Sequence, residues 1–263
     1  MDRKSLLKQF IYEEERIAFS KALDQAYLAV KTFNPAFTCF MDPVKAEKIQ
    51  SVLGTLRELD CRIIAYGGSP DCERVKLGFF PDHEEAEIEA FPIDAIKINK
   101  ESPGSSLDHR DYLGALIGLG IDRSRVGDIF VKPDGAVVFT DRAMSAFIIG
   151  NLRLVGRYRV TLFLLQPDEV FVYQIPEAEK NINVSSLRLD NVLSGAFKLS
   201  RGRSAELISK DKAFINWRMV SSPSKTVGEG DVLTLRGYGR VKVKEIVGKT
   251  KKDKIRLTLL SNQ

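Results

Sequence analysis

The sequence has few of the residues that most often carry chemistry. Histidine occurs twice, as His83 and His109, and cysteine three times, as Cys39, Cys61 and Cys72. The cysteines are odd in number, lack CxxC spacing and have no histidine clustered with them. A disulfide framework and a zinc site are therefore not expected, and the thiols read as structural. No apolar run approaches the roughly 18 residues of a membrane helix, and MDRKSLLKQFIYEEER is acidic where a signal peptide is apolar. The expectation is a cytoplasmic chain without a membrane partner. Also missing is a GxGxxG loop after a strand, so no nucleotide cofactor, and no cofactor of any kind, is expected.

What is present is length and charge. The chain has 263 residues, 44% of them apolar, enough for two or three cores. Net charge is +5, but residues 184–263 hold 17 Lys+Arg against 7 Asp+Glu, net +10. Residues 1–183 hold the other 23 and 28, net −5. That asymmetry points to a polyanion-binding module joined to a body with another task. The alternative is a solvated basic surface, because charge steers without specifying a partner.

Periodicity divides the chain. Residues 2–33 read as one helix, with Leu6, Leu7, Phe10, Ile11, Ile17, Ala18, Leu23 and Ala26 at helical spacings and Asn34-Pro35 as its stop. FTCFM is expected as a strand, Asp42-Pro43 as a helix start, VKAEKIQSVLGTLREL as the helix, and CRIIAY and RVKLGFF as strands around a GGSPD turn. Residues 90–165 then give strand, SPGSS loop, helix from Asp108 to Gly120, two strands about a Pro-Asp-Gly turn, helix and strand. The order βαββαβ is the ferredoxin-like split βαβ, also the skeleton of many RNA-recognition sheets. The paired aromatics of the RNA-recognition signature are missing, and Phe130 and Phe139 read as core. The run Asp108-His109-Arg110 reads as a helix cap in preference to a second contact.

PEAEKNINVSS, 176–186, is polar and is expected to be a linker. Beyond it, Leu189, Val192, Leu193, Ala196 and Phe197 form one face of a helix with Ser185 or Ser186 as its cap. A second helix begins at Ser200, with Ala205, Leu207 and Ile208 for the core. Short strands AFINW, VLTLRG, VKVKEIV and IRLTLL follow. The fold class is thus α+β in three units: an α/β domain over 1–80, a ferredoxin-like domain over 81–175 and, after the linker, a basic domain with a β extension over 187–263.

The densest charge lies in LSRGRSAELISKDKAFINWR, residues 199–218. Arg201 and Arg203 fall at a helix start, where free N–H groups already favour an anion and guanidinium forks match phosphate. Without an anionic partner, cations there oppose the helix dipole. Lys210 and Lys212 lie at the helix end, and Arg188, Arg218, Arg240, Lys242 and Lys244 extend the basic face. Trp217 stacks on an unpaired base or covers the edge of a small core, and packing is preferred. Asn216 contacts the ligand or holds a turn.

The segment LRLDNVLSGAFKLSRGRSAELISKDKAFINWR, with PSKTVGEGDVLTLRG, resembles the RNA-binding domain shared with ribosomal protein S-four, the alpha-L motif. The matching positions are Arg188, Leu189 and Asp190, then Ser200 and Arg201, Asn216, and Gly230 with Asp231. The family usually has glycine between the second helix and the strand, and this chain has Asp211, which tolerates left-handed backbone better than most residues. DHRDYLGALIGLGIDRSRVGDIFV, with NWRMV and LRGYGRVKV, resembles the YlmH family of bacterial RNA-binding proteins along essentially the whole chain.

That resemblance implies a ribosome-associated factor without enzymatic activity, connected with stalled large subunits carrying peptidyl-tRNA and, through genetic context, with cell division. The implied partners are rRNA, tRNA and the large ribosomal subunit. The expected RNA-binding residues are Arg188, Ser200, Arg201, Arg203, Lys210, Lys212, Asn216, Arg218, Arg240 and Lys242. The competing class is an RNA-modifying enzyme, a pseudouridine synthase or methyltransferase, using the basic domain for targeting. Against it, no nucleophile or metal setting is recognisable, and the only Arg-Leu-Asp belongs to the basic module.

Overall fold

Three α-helix starts in this chain are capped by aspartate. A computed structural model describes residues 3–56, 58–69, 72–82, 87–101, 107–166, 177–250 and 253–262. In it Asp42 accepts from the Lys45 N–H with Pro43 at the first helical position, and Asp141 accepts from the Ala143 N–H. Asp108 and Asp111 exchange bonds in a capping box. Each satisfies N–H groups that a helix start otherwise leaves unpaired. The cap expected at Asp108 is therefore present.

The chain divides into two compact units, Met1–Gln174 and Ile175–Gln263, and mixes helices and strands as an α+β protein. In the first unit α1 (Arg3–Leu7) and α2 (Glu13–Thr32) replace the single helix expected over 2–33. The break has a packing cause: Phe10 turns fully into the core with its ring 4.6 Å from that of Phe19, and Arg16 holds the Phe10 carbonyl at 2.8 Å. Glu13, Glu14 and Glu15 then suit the positive end of α2. After β1 (Ala36–Phe37) comes α3 (Pro43–Leu53), which stops at Gly54 rather than continuing to 59. FTCFM contributes only its first residue to β1, and Met41 makes an isolated bridge to Val75. Strands β2 (Cys61–Tyr66) and β3 (Lys76–Pro81) complete a sheet in the order β1-β3-β2. Pro70 and Asp71 of the GGSPD turn, His83 and the SPGSS loop lie outside the described residues.

The same unit continues with β4 (Ile93–Lys100), α4 (His109–Gly118), β5 (Val126–Lys132), β6 (Gly135–Asp141), α5 (Arg142–Asn151), β7 (Leu154–Val155) and β8 (Tyr158–Leu164). The sheet runs β5-β6-β4-β8-β7, antiparallel throughout. The expected βαββαβ order is present, with the short β7 added at the edge. Ile96, Ile98, Val138 and Ile129 pack with Tyr112, Leu116 and Ile148 from the two helices. Phe139 is buried in a second cluster with Ala95 and Val137, and Phe130 lies half-buried beside it, ring to ring at 5.6 Å. The two sheets of this unit are pinned together. Lys76, 1% exposed, donates to Asp141 at 2.8 Å and to the Pro92 carbonyl, and Asp128 accepts from the Glu73 and Arg74 N–H groups. Burial pulls the Lys76 amine down from its usual range, and Asp141 opposes that shift.

The second unit opens on a strand where a linker was expected. Residues 177–184, expected within the linker, form β9 (Glu177–Val184), paired along its whole length with β14 (Ile255–Asn262). Its polar residues hid an alternation: Ile182 and Val184 face the core, while Asn181 accepts from Thr258 at 3.0 Å. Next come α6 (Leu189–Phe197), α7 (Arg201–Ser209), β10 (Ala213–Ile215), β11 (Arg218–Met219), β12 (Val232–Leu235) and β13 (Gly239–Lys249). The sheet order is β11-β10-β12-β13-β14-β9. Leu189, Val192, Leu193, Ala196, Leu207 and Ile208 bury against Ala213, Ile215, Leu233, Leu235, Val241 and Val243. Ser204, not Ala205, takes the remaining core position of α7, one helical turn before Leu207 and Ile208.

Candidate nucleic-acid interface

Neither serine expected to cap α6 does so. Ser185 and Ser186 instead accept from the Asn191 side chain at 3.0 and 2.6 Å, and Arg188 is the N-cap residue. The first N–H groups of α6 donate to backbone carbonyls across a loop, Leu189 to Lys225 at 2.8 Å and Asp190 to Pro223 at 3.1 Å. This leaves the Arg188 side chain for another task.

That task centres on Asp190. Its carboxylate is 4% exposed and accepts from Arg188 through Nε and Nη2, both at 3.1 Å, and from Arg201 through Nε at 3.0 Å. The arginines remain 39% and 55% exposed. Burial alone would push the Asp190 carboxyl up, but the bonds and charges of Arg188 and Arg201 outweigh it and hold the group below its ordinary value. The anionic partner that a cation at a helix start requires is thus supplied from within. Asp190 uses only Nε of Arg201, so the terminal nitrogens of that fork stay available to a second acceptor.

Along α7 a second group forms. Ser200 caps the helix by accepting from the Arg203 N–H at 3.1 Å, and Glu206 accepts from Arg203 and Lys210, each at 2.7 Å. These pairs draw the Glu206 carboxyl down to about 2, Lys210 and Arg203 being its causes. Glu206 first, and then the Tyr238 hydroxyl, hold the Arg203 guanidinium above its ordinary value. The helix ends in a left-handed residue, Asp211 at φ 56°, with Asp211 N–H on the Ile208 carbonyl and Lys212 N–H on that of Leu207. The turn expected to survive aspartate does survive it, and Lys212 emerges exposed.

Asn216 and Trp217 form the two-residue turn between β10 and β11, with φ of 49° and 60°. The Asn216 side chain is engaged within the protein: it donates to Asp231 at 2.8 Å and accepts from the Val232 N–H at 2.9 Å. Asp231 also accepts from the Gly228 N–H, so the GEGD turn and the hairpin brace each other. Trp217, expected to pack into the core, is half-buried at the hairpin tip and outside the core cluster. Arg240 lies over its ring at 5.7 Å and donates to Thr234 at 2.8 Å, and burial lowers its guanidinium below the usual range. Arg218 and Lys242 are exposed on β11 and β13.

The expected residues therefore fall into three groups. Arg188 and Arg201 share Asp190; Arg203 and Lys210 share Glu206, with Lys212 just beyond; Arg240 and Lys242 lie on the sheet, with Arg218 on the hairpin. Ser200 and Asn216 support backbone and turns. Sequence reasoning placed Asp190 inside a motif without giving it a role, because its function is a geometry between two helix starts. In the first unit His109 has its imidazole shifted down by burial and then by Arg123, and burial raises the Cys61 thiol, as do Asp82 and Asp60. Among the described residues no group of three His, Cys, Asp or Glu is placed to hold a metal, and no helix is long and apolar enough to cross a membrane.

Comparison with known proteins gives three family models in chain order: "YlmH, N-terminal" over residues 14–83, "Putative RNA-binding domain in YlmH" over 86–169 and "S4 domain" over 187–233. A relative in Bacillus subtilis (strain 168), "Ribosome-associated protein quality control protein P2", is 30% identical over 250 residues, 95% of this chain and 96% of that one. A solved structure of "Cell division protein ylmH from Streptococcus pneumoniae" matches at TM-score 0.52 and 19% identity, covering 62% of this chain and 97% of that chain, and shows a shared fold. With the YlmH-specific models and the S4 model in order, and a relative matched over nearly its full length, the chain belongs to the YlmH family.

Proposed function

We propose that this chain is a non-catalytic cytoplasmic factor that binds structured rRNA or tRNA on the large ribosomal subunit and serves quality control of stalled peptidyl-tRNA complexes. The observation that carries the proposal is the buried Asp190 holding Arg188 and Arg201 half-exposed at two helix starts. Such arginines are pre-aimed, so less side-chain freedom is lost when a phosphate binds. Arg203, Lys210, Lys212, Arg218, Arg240 and Lys242 extend the contact, while Ser200 and Asn216 hold the backbone that carries it. The named activity of the Bacillus subtilis relative supports the ribosomal setting. The sheet of residues 93–164 is read as a ferredoxin-like layer that positions the second unit or adds a contact of its own.

The test is co-sedimentation with purified large subunits over a salt series. Charge reversal at Arg201 would set a new carboxylate beside Asp190 and disturb the fold, so Arg201→Gln with Arg203→Gln is the appropriate variant. Binding should weaken by about tenfold or more, and the slope of log affinity against log salt should flatten by a little under one for each phosphate that the variant no longer neutralises. Unchanged binding at every salt would exclude this surface as the RNA grip.

A further inference from the structure

The sheet of the second unit has two faces, and only one is used by the core. Ala213, Ile215, Leu233, Leu235, Val241 and Val243 point inward. The alternate residues Phe214, Thr234, Arg240 and Lys242 therefore lie on the opposite face, because side chains along a strand alternate. Register puts Met219 across from Phe214, Phe214 across from Thr234, and Thr234 across from Arg240. Two aromatic rings on or bordering this face each carry an arginine: Arg236 over Phe214 at 4.7 Å and Arg240 over Trp217 at 5.7 Å. Met219 is 57% exposed beside them.

Trp217 is held here against its backbone preference. A bulky residue at φ 60° is strained, and a two-residue turn with both φ positive favours Asn-Gly. The core gains little from the tryptophan, which lies outside the core cluster. Backbone strain of this kind clusters at ligand clamps, active sites and switch regions, which makes the ring a candidate contact. The face is basic, with Arg236, Arg240 and Lys242, and Arg218 follows Trp217 in the turn. Cationic groups beside half-exposed aromatics suit a polyanion whose rings stack, which is single-stranded nucleic acid.

We infer that Trp217, steadied by Arg240, is a stacking platform for an unpaired RNA base, so that the second unit grips backbone with its helix starts and reads a looped-out or single-stranded base with its sheet. This rests on the RNA-binding function proposed above. The thermodynamic signature is specific. Trp217→Gly relieves the turn and should leave the full-length protein at least as stable to urea as the wild type, whereas a packing role predicts a loss.

The experiment uses two labelled RNAs of equal length, a hairpin with an unpaired loop and a blunt duplex, with binding read by anisotropy. Trp217 is the chain's only tryptophan, so its emission reports the site directly. The expected result is quenching of that emission on saturation with the looped RNA, and a loss of looped-RNA affinity of about tenfold or more in Trp217→Gly that brings it toward that of the duplex. Unchanged emission at saturation, or unchanged looped-RNA affinity in the variant, would overturn the stacking role while leaving the backbone grip in place. Failure of the wild-type chain to bind either RNA would overturn the functional reading itself.

Discussion

Asp190 is a buried charge whose desolvation is offset by Arg188 and Arg201. Its native titration lies below that of an unfolded aspartate, about 3.9. The stability it contributes is therefore fully present above about pH 4 and is lost as pH falls through the lower native value. Asp190→Asn keeps an acceptor but removes the charge, and should cost about 2 kcal/mol at neutral pH, the order of a lost charge-assisted bond. Urea unfolding from about pH 6 to about pH 2.5 checks this, because the variant should show a shallower fall in stability than the wild type below about pH 4. A parallel fall in the two proteins would mean that the carboxylate does no such work.

Among the elements, the ends of α7 show how local chemistry sets the frame of the proposed interface. Ser200 opens the helix and Asp211 closes it in the left-handed region. Glycine has no Cβ penalty there, so Asp211→Gly should raise stability by about 0.5–1 kcal/mol, measurable as a shift of the urea midpoint at constant slope. Helix starts at Asp42 and Asp108, the strands CRIIAY and VLTLRG, and the helical face from Leu189 to Ala196 were legible because capping residues and periodicity act over a few positions. What escaped was tertiary. The break before α2 exists because Phe10 turns to meet Phe19, and β9 looked like a linker because its partner β14 lies far along the chain, Ile255 pairing with Val184. Ser204 in the core of α7 was hidden by its polarity, although its spacing from Leu207 and Ile208 is helical.

Across the whole molecule, the uneven charge marked which end of the chain is proposed to meet a polyanion, and the resemblance of the Arg-Leu-Asp and Ser-Arg helices marked which cations to consider. Neither gave the grouping, in which buried or helical carboxylates organise cations in pairs. Arg203 and Lys210 share Glu206, an exposed arrangement that salt screens, whereas the Asp190 pair is anchored in the protein. Contacts through Arg188 and Arg201 should accordingly persist at salt concentrations that loosen those of Arg203 and Lys210. RNA binding by the second unit is tested most sharply by a crosslinking map of RNA bound to the full-length protein on large ribosomal subunits. The expected map has crosslinked nucleotides in structured rRNA or tRNA and crosslinked peptides concentrated between Arg188 and Lys242. Crosslinks confined to residues before Gln174, or none to rRNA or tRNA, would contradict it.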